Sequence, residues 1–192
     1  MGDEEVVVVP RPDRHSAPAR NHADVAAGAP SRLAVPLTIR DLCVGDLPAC
    51  GWAGSRLHLE NIAQTLEGVG RNDVCYRAAC TPSGLVLVVG GIDYARKPGS
   101  GTLCELVVHP AMRSCGIGTI WIRAAEQRIL AHGLRRAELG VAVANERALA
   151  LYDRLGYLVD GGGTDAWDEE TPGGVIVRRE IDCLMMYRDL AV

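Results

Sequence analysis

The chain has 192 residues, enough for one substantial hydrophobic core and too few for two large domains. With 48% hydrophobic residues, 23% charged residues and a net charge of −4, it has the composition of a globular protein. The negative balance sets nucleic-acid binding aside, because such binders are usually basic. Seven cysteines (43, 50, 75, 80, 104, 115 and 183) form no C-x-x-C pair, which predicts free thiols in a reducing cytoplasm and no metal site. No apolar run approaches the length of a membrane span, and the acidic start Met1-Gly-Asp-Glu-Glu5 is unlike a signal peptide.

Residues 1–34, rich in Pro, Ala, Arg, His and Asp, read as an N-terminal arm without fixed structure, in which Val6–Val9 could pair with a sheet edge. Residues 35–192 read as the domain. Leu37–Arg40 is a short strand, and Asp46-Leu-Pro48 begins a short helix or turn. Ser55 caps a helix running to about Glu67, with Leu59, Ile62, Ala63 and Leu66 as its apolar stripe. Val74–Cys80 and Leu85–Val89 form a hairpin around Pro82-Ser-Gly84, the second strand continuing to Tyr94 through a bulge at Gly90-Gly91. After a loop at Arg96–Gly101 comes a strand, Leu103–Val108. The helix that follows carries Ile117, Ile120, Trp121, Ala124, Ala125 and Ile129 on one face and ends at Gly133. Ala137–Val143 is a strand. Asn145 then caps a helix with Ala148, Leu151, Tyr152 and Leu155 on its apolar face. Gly161–Gly163 and the acidic Asp165–Glu170 read as loops, and Val175–Arg179 and Asp182–Arg188 as two closing strands. Strands alternating with helices imply a mixed α/β sheet covered on both faces.

Glu105-Leu-Val-Val-His-Pro-Ala-Met-Arg-Ser-Cys-Gly-Ile-Gly118 is the most informative stretch. A strand, a turn at Pro110 and Arg-x-x-Gly-x-Gly open a helix whose first N–H groups have no partner within the helix. The positive end of the helix dipole lies there too, and the glycines let the backbone approach a ligand. The combination is an anion cradle suited to a pyrophosphate. One strand later stands Asn145-Glu-Arg-Ala-Leu-Ala-Leu-Tyr-Asp-Arg-Leu-Gly-Tyr157.

With both motifs in place, the chain resembles the GNAT family, the Gcn5-related N-acetyltransferases. The resemblance spans residues 37–190 in element order and is specific over 103–157. It implies an α/β fold with a mixed, mostly antiparallel central sheet of six or seven strands, helices on both faces, and a splay between the fourth and fifth strands. It implies acetyl-CoA or another acyl-CoA as donor, with its pyrophosphate on Arg113, Ser114, Cys115, Gly116, Ile117, Gly118 and Thr119. Pantetheine would run beside Val107 and Val108, whose free amides would polarise the thioester carbonyl, and near Asn145, Ala148 and Tyr152. Tyr152 is then the general acid for the leaving thiolate, against the alternative of a core tyrosine with a backbone partner. Glu105 is the candidate base: a carboxylate in an apolar strand is costly unless paired or functional, and burial would raise its pKa. An arginine-paired or solvent-facing Glu105, or a water chain in its place, are the alternatives.

Cys115 reads as a small filler in the cradle, and His109 as a structural residue. Trp52, Tyr94 and Trp167 are candidates for an acceptor pocket. Asp165, Asp168, Glu169 and Glu170 would attract a cationic amine or form a solvated loop. Arg123, Arg128, Arg135 and Arg136 read as a solvated basic patch. The expected function is transfer of an acetyl or similar acyl group to an amine, chiefly of a small molecule, by direct attack in a ternary complex. The partners are thus acyl-CoA and an amine acceptor, with no membrane and no nucleic acid, and a homodimer is left open. The alternatives are a protein N-terminal or lysine acetyltransferase, a transferase using another donor such as aminoacyl-tRNA, and a non-catalytic CoA-binding module.

Overall fold

Runs of β-branched and small apolar residues make the strands, and they join into one sheet whose middle is covered on both faces. The computed structural model describes residues 4–8, 34–68, 73–171 and 173–191. In chain order its strands are β1 (Glu4–Val8), β2 (Val35–Asp41), β3 (Val74–Cys80), β4 (Val86–Asp93), β5 (Gly101–Val108), β6 (Arg136–Ala142), β7 (Leu158–Glu170) and β8 (Ile176–Asp189). The helices are α1 (Arg56–Leu66), α2 (Ile117–Ala131) and α3 (Glu146–Arg154).

The sheet order is β1-β2-β3-β4-β5-β6-β8-β7. All neighbours are antiparallel except β5 and β6, which run parallel and pair only from Gly101 to Leu103 with Ala137 to Leu139. Beyond Leu103 these two strands part. Counted from residue 35, β2–β8 make the seven-stranded mixed sheet that the resemblance implies, and β5 and β6 are its fourth and fifth strands. β1 adds an eighth strand at the edge, with Val6 opposite Leu37. Residues 9–33, most of the predicted arm, lie outside the described residues.

β4 is buried at every position, as a central strand covered on both faces must be. Two apolar cores sandwich it. On one face α1 and a 3₁₀ turn (Val44–Ala49) cover Tyr76, Ala78, Cys80, Val86 and Val89, with Ile62 fully buried between them. Ser55 caps α1 as its sequence predicts, its Oγ accepting from the His58 N–H at 3.2 Å. On the other face α2 buries Ile117, Trp121, Ala124, Ala125 and Ile129. Glu126 is buried there too. It accepts from Tyr157 Oη at 3.1 Å and pairs with Arg123 at 2.8 Å and Arg188 at 2.6 Å. Arg136 pairs with Asp189 at 2.7 Å, so Arg123 and Arg136 do not belong to a free basic patch.

The closing segment differs from its sequence reading. The supposed loops at Gly161–Gly163 and Asp165–Glu170 are both part of β7, and the two supposed final strands are one, β8. β7 is a sheet edge that pairs only with β8, and none of its residues is buried, so it carries no apolar alternation to read. Its acids are not free either. Asp168 and Glu169 pair with Arg178 and Arg179 across the hairpin, Asp165 with Arg96, and Glu170 with Arg56. No described helix is long and apolar enough to cross a membrane.

Gly90 marks the closest approach of helix to sheet. A Cβ there would stand 2.5 Å from Trp121 Cζ2, and Trp121 is fully buried with its indole N–H donating to the Arg77 carbonyl at 3.1 Å. The ring cannot yield without losing that bond. We expect Gly90→Ala to destabilise the fold by roughly 1–3 kcal/mol, the usual range for overpacking a filled core. Denaturant unfolding of the variant beside the parent chain checks it, and unchanged stability would show that α2 can shift freely.

Candidate active site

The cradle forms where β5 hands the chain to α2. His109 Nδ1 accepts from the Ala111 N–H at 3.3 Å, which turns the chain into a 3₁₀ turn at Pro110–Met112. Ser114 (φ 68°) and Gly116 (φ 87°) then adopt left-handed backbone. Gly116 is the N-cap of α2 and supplies no side-chain cap; the first helical bond is from the Ile120 N–H to the Gly116 carbonyl at 3.2 Å. Among the described residues, the N–H groups from Ser114 to Thr119 have no acceptor. A Cβ on Gly118 would stand 3.5 Å from Val108 Cγ2 and 4.0 Å from Leu151 Cδ2, so β5, α2 and α3 converge at this glycine. Arg113 donates from Nε to the Val108 carbonyl at 3.3 Å, and Arg147, in the first turn of α3, reaches Ser114 Oγ. Two guanidinium groups therefore flank the open amides. Cys115 is half-buried against the core, and Ile117 is buried in it, so these residues offer their backbone to the cradle.

At the end of β5 only part of the expected amide pair is free. The His109 N–H bonds to the Leu87 carbonyl at 2.8 Å, and Val107 lies opposite Val89. In an antiparallel ladder, groups bonded to the same neighbour recur at every second residue. The Val107 amide therefore faces β4, whereas those of Leu106 and Val108 face the gap toward β6. Tyr152 lies in the same core as Val108 and is 9% exposed. Its ring meets that of Tyr157 edge-on, with centroids 5.6 Å apart, and its hydroxyl has no hydrogen-bond partner among the described residues. Burial pushes its pKa up to about 12. Asn145 caps α3, with Oδ1 accepting from the Ala148 N–H at 3.1 Å, which leaves its amide nitrogen available.

Glu105 lies on the opposite face of β5, at a bulge where its φ is 53° and the register against β4 shifts. It is not buried, as its apolar strand suggests; the side chain is 41% exposed because the bulge turns it out of the sheet. Tyr76 donates to Glu105 Oε2 at 2.6 Å, and His58 Nε2 lies 4.0 Å from the same oxygen. Burial first, and the nearby Glu105 second, hold the Tyr76 phenol well above its usual range, so it remains a donor. Glu105 and Tyr76 line a cavity of ≈ 190 Å³ closed by Asn61 and Thr65 of α1 and by Arg96.

The three aromatic candidates are not gathered there. Trp52 packs edge-on against His109, with centroids 5.1 Å apart, at the thioester end of β5. Tyr94 stacks on His132 at 4.0 Å, beyond the far end of α2. Trp167 is 41% exposed on β7, opposite Arg179.

Residues 71–157, which contain both motifs and the cradle, match the family model described as Acetyltransferase (GNAT) family. The match takes in β3 to α3 and leaves the flanking strands outside it. Over about 80% of the chain the fold agrees with solved structures of similar shape. Among them are an IAA acetyltransferase from Bacillus cereus (17% identity, TM-score 0.59, 80% of this chain and 99% of that one); a spermidine N-acetyltransferase from Vibrio cholerae solved with CoA and spermine (20%, 0.60, 80% and 95%); and the ribosomal-protein-S18-alanine N-acetyltransferase of Escherichia coli (20%, 0.57, 81% and 95%).

Three residues that the sequence reading passed over stand in or beside the site: Tyr76, Arg96 and Arg147. Arg147 could have been noticed from its place two residues after the Asn145 cap. Tyr76 could not, because its link to Glu105 passes across β4. We expect Gly116→Glu to abolish CoA binding, since it puts a Cβ at φ 87° and a negative charge in the cradle. Arg147→Ala should weaken binding about tenfold, the loss of a charge-assisted contact of roughly 1.5 kcal/mol. Calorimetric titration with CoA checks both.

Proposed function

We propose that the protein is an acetyl-CoA-dependent N-acetyltransferase that moves an acetyl or similar acyl group to an amine of a small molecule by direct attack in a ternary complex. The observation that carries this reading is the row of open amides at Ser114–Thr119 beside the free edge of β5 and the Tyr152 hydroxyl. The cradle amides, with Arg113 and Arg147, fit a pyrophosphate. An acyl-CoA bound there supplies an activated thioester. The Leu106 and Val108 amides fit the charge that develops on its carbonyl oxygen, a role worth a few kcal/mol where water is excluded.

Glu105 takes the proton that the attacking ammonium must lose, and Tyr76 fixes one of its oxygens so that the other faces the cavity. Tyr152 attends the departing sulfur. With its phenol at about 12 and a free thiol near 8.5, complete proton transfer in the ground state is uphill. A thiolate formed in the same apolar surroundings is also pushed up, which narrows the gap, and the hydroxyl's hydrogen bond stabilises the sulfur throughout.

The small polar cavity favours a small acceptor over a protein N-terminus or lysine, and the intact cradle favours acyl-CoA over an aminoacyl-tRNA donor. A non-catalytic module gives no reason for a half-buried pair such as Tyr76–Glu105 or for an unpartnered Tyr152 hydroxyl. No two of the described cysteines are joined in a disulfide, which suits a cytoplasmic enzyme.

A thiol-release screen with acetyl-CoA and a panel of amines tests the activity; no release with any amine would refute it. We expect Tyr152→Phe to lower kcat at least tenfold with little change in CoA affinity, and equal turnover would assign Tyr152 to packing. Because burial raises its pKa to about 12, Tyr152 stays protonated through neutral and mildly alkaline pH. The rate should therefore show no alkaline fall owing to this group below about pH 11. Its contribution to stability is likewise complete below about pH 10, the unfolded phenol's value, and is lost as pH rises through 12. For Glu105→Gln, the loss of rate should shrink at high pH, where the amine is already neutral. A constant ratio across pH would remove its role as base.

A further inference from the structure

The acceptor cavity carries opposite charges in different places, and this restricts what fits. Glu105 supplies the negative group beside the free edge of β5. The positive group is Arg96, on the loop after β4. Asp93 pairs with Thr102, three residues before Glu105, so Arg96 lies roughly 10 Å or more from Glu105 along the strand direction. Asp93 is 2% exposed, and its Oδ1 accepts from the Ala95 and Arg96 N–H groups, each at 3.0 Å. This buried carboxylate shapes the turn that sends the Arg96 side chain to the cavity wall. One Arg96 nitrogen is held by Asp165 of β7 at 3.3 Å. Its other side-chain donors have no partner among the described residues, and a guanidinium has five to offer. Asn61, Thr65, Val74, Cys104 and the buried Asp93 complete the wall.

From this arrangement we infer that the acceptor is a small zwitterion of the amino-acid class, with its amine at Glu105 and its carboxylate at Arg96. The inference rests on the N-acetyltransferase reading and narrows it. At ≈ 190 Å³ the cavity is smaller than the roughly 300–1,000 Å³ of pockets that take drug-sized ligands, which suits one small molecule. A polyamine would need a second anionic anchor. Asp93 is committed to its turn, and the β7 acids are paired with arginines. Arg96, by contrast, would repel a second ammonium, and an unpaired charge set against a ligand is a strong source of discrimination. The reaction balances simply. The ammonium gives one proton to Glu105 and attacks as the neutral amine; its nitrogen bonds to the acyl carbon and releases a second proton to solvent, the carbon–sulfur bond breaks, and the sulfur leaves as the thiol with a proton from Tyr152 that solvent restores. The substrate's carboxylate takes no part and serves only to orient the amine.

The test is thiol release from acetyl-CoA by the full-length protein with two matched pairs: methionine against 3-(methylthio)propylamine, and phenylalanine against phenethylamine. Putrescine and spermidine are included as polycations without a carboxylate. For both pairs we expect kcat/KM at least tenfold higher for the amino acid, and both polyamines should be poor. Arg96→Gln should erase the preference, mainly through a rise in KM for the amino acid. Asp165→Asn breaks the same ion pair but keeps the guanidinium, so the preference should survive. If simple amines or polyamines match the amino acids, or if the Arg96 and Asp165 variants behave alike, the zwitterion assignment is overturned while the N-acetyltransferase reading stands. The absence of thiol release with every amine would overturn both.

Discussion

Everything at this site depends on the parting of β5 from β6. The two parallel strands hold together over Gly101–Leu103 and then separate, so the far half of β5 has backbone groups with no strand to meet them. Unsatisfied amides at a sheet interior are costly, and a protein keeps them only where something else will satisfy them. An extended acyl chain can do so by lying along β5 as a strand would. The bulge at Glu105 belongs to the same device. It breaks the register with β4 at the point where the splay begins and turns one carboxylate away from the sheet.

The split sheet also divides the chemistry between its faces. Val108, Leu151 and Tyr152 belong to the core under α2 and α3, whereas Tyr76 belongs to the core under α1 and Val107 packs against it. The cradle and Tyr152 thus sit on one face and Glu105 on the other, with the free edge of β5 between them. In the proposed reaction, acceptor and donor would approach from opposite sides. Each group keeps its own surroundings: Tyr152 nearly dry and protonated, Glu105 partly wet and tied to one phenol.

The sequence was most legible where a local rule governs. β3 occupies Val74–Cys80, the predicted residues, and the Ser55 and Asn145 caps hold because capping is decided within three residues. The cradle could be read for the same reason: strand, turn and helix are consecutive. β7 could not, since an exposed edge strand has no buried side to impose alternation, and its glycines and acids look like a loop. For Glu105 the sequence left both a buried and a solvent-facing side chain open. Its apolar neighbours suggest burial, while a positive φ at a non-glycine residue, which sequence does not announce, rotates it outward. Tyr94 and Trp167 were grouped with Trp52 only by residue type, and tertiary structure carries them apart. Arg96 and Tyr76 matter through contacts across strands, which a single sequence does not record.

The buried carboxylate of Glu126 gives the donor site a mechanical property. From α2 it binds Tyr157 just after α3 and Arg188 on β8, and Tyr157 in turn buttresses the ring of Tyr152. Helix, strand and the surroundings of Tyr152 are riveted through one carboxylate whose partners cannot leave without stranding a charge in the core. The conformational entropy of ordering this part of the site is therefore spent during folding. The pocket meets its ligand already preorganised, so binding energy need not be diverted into assembling it.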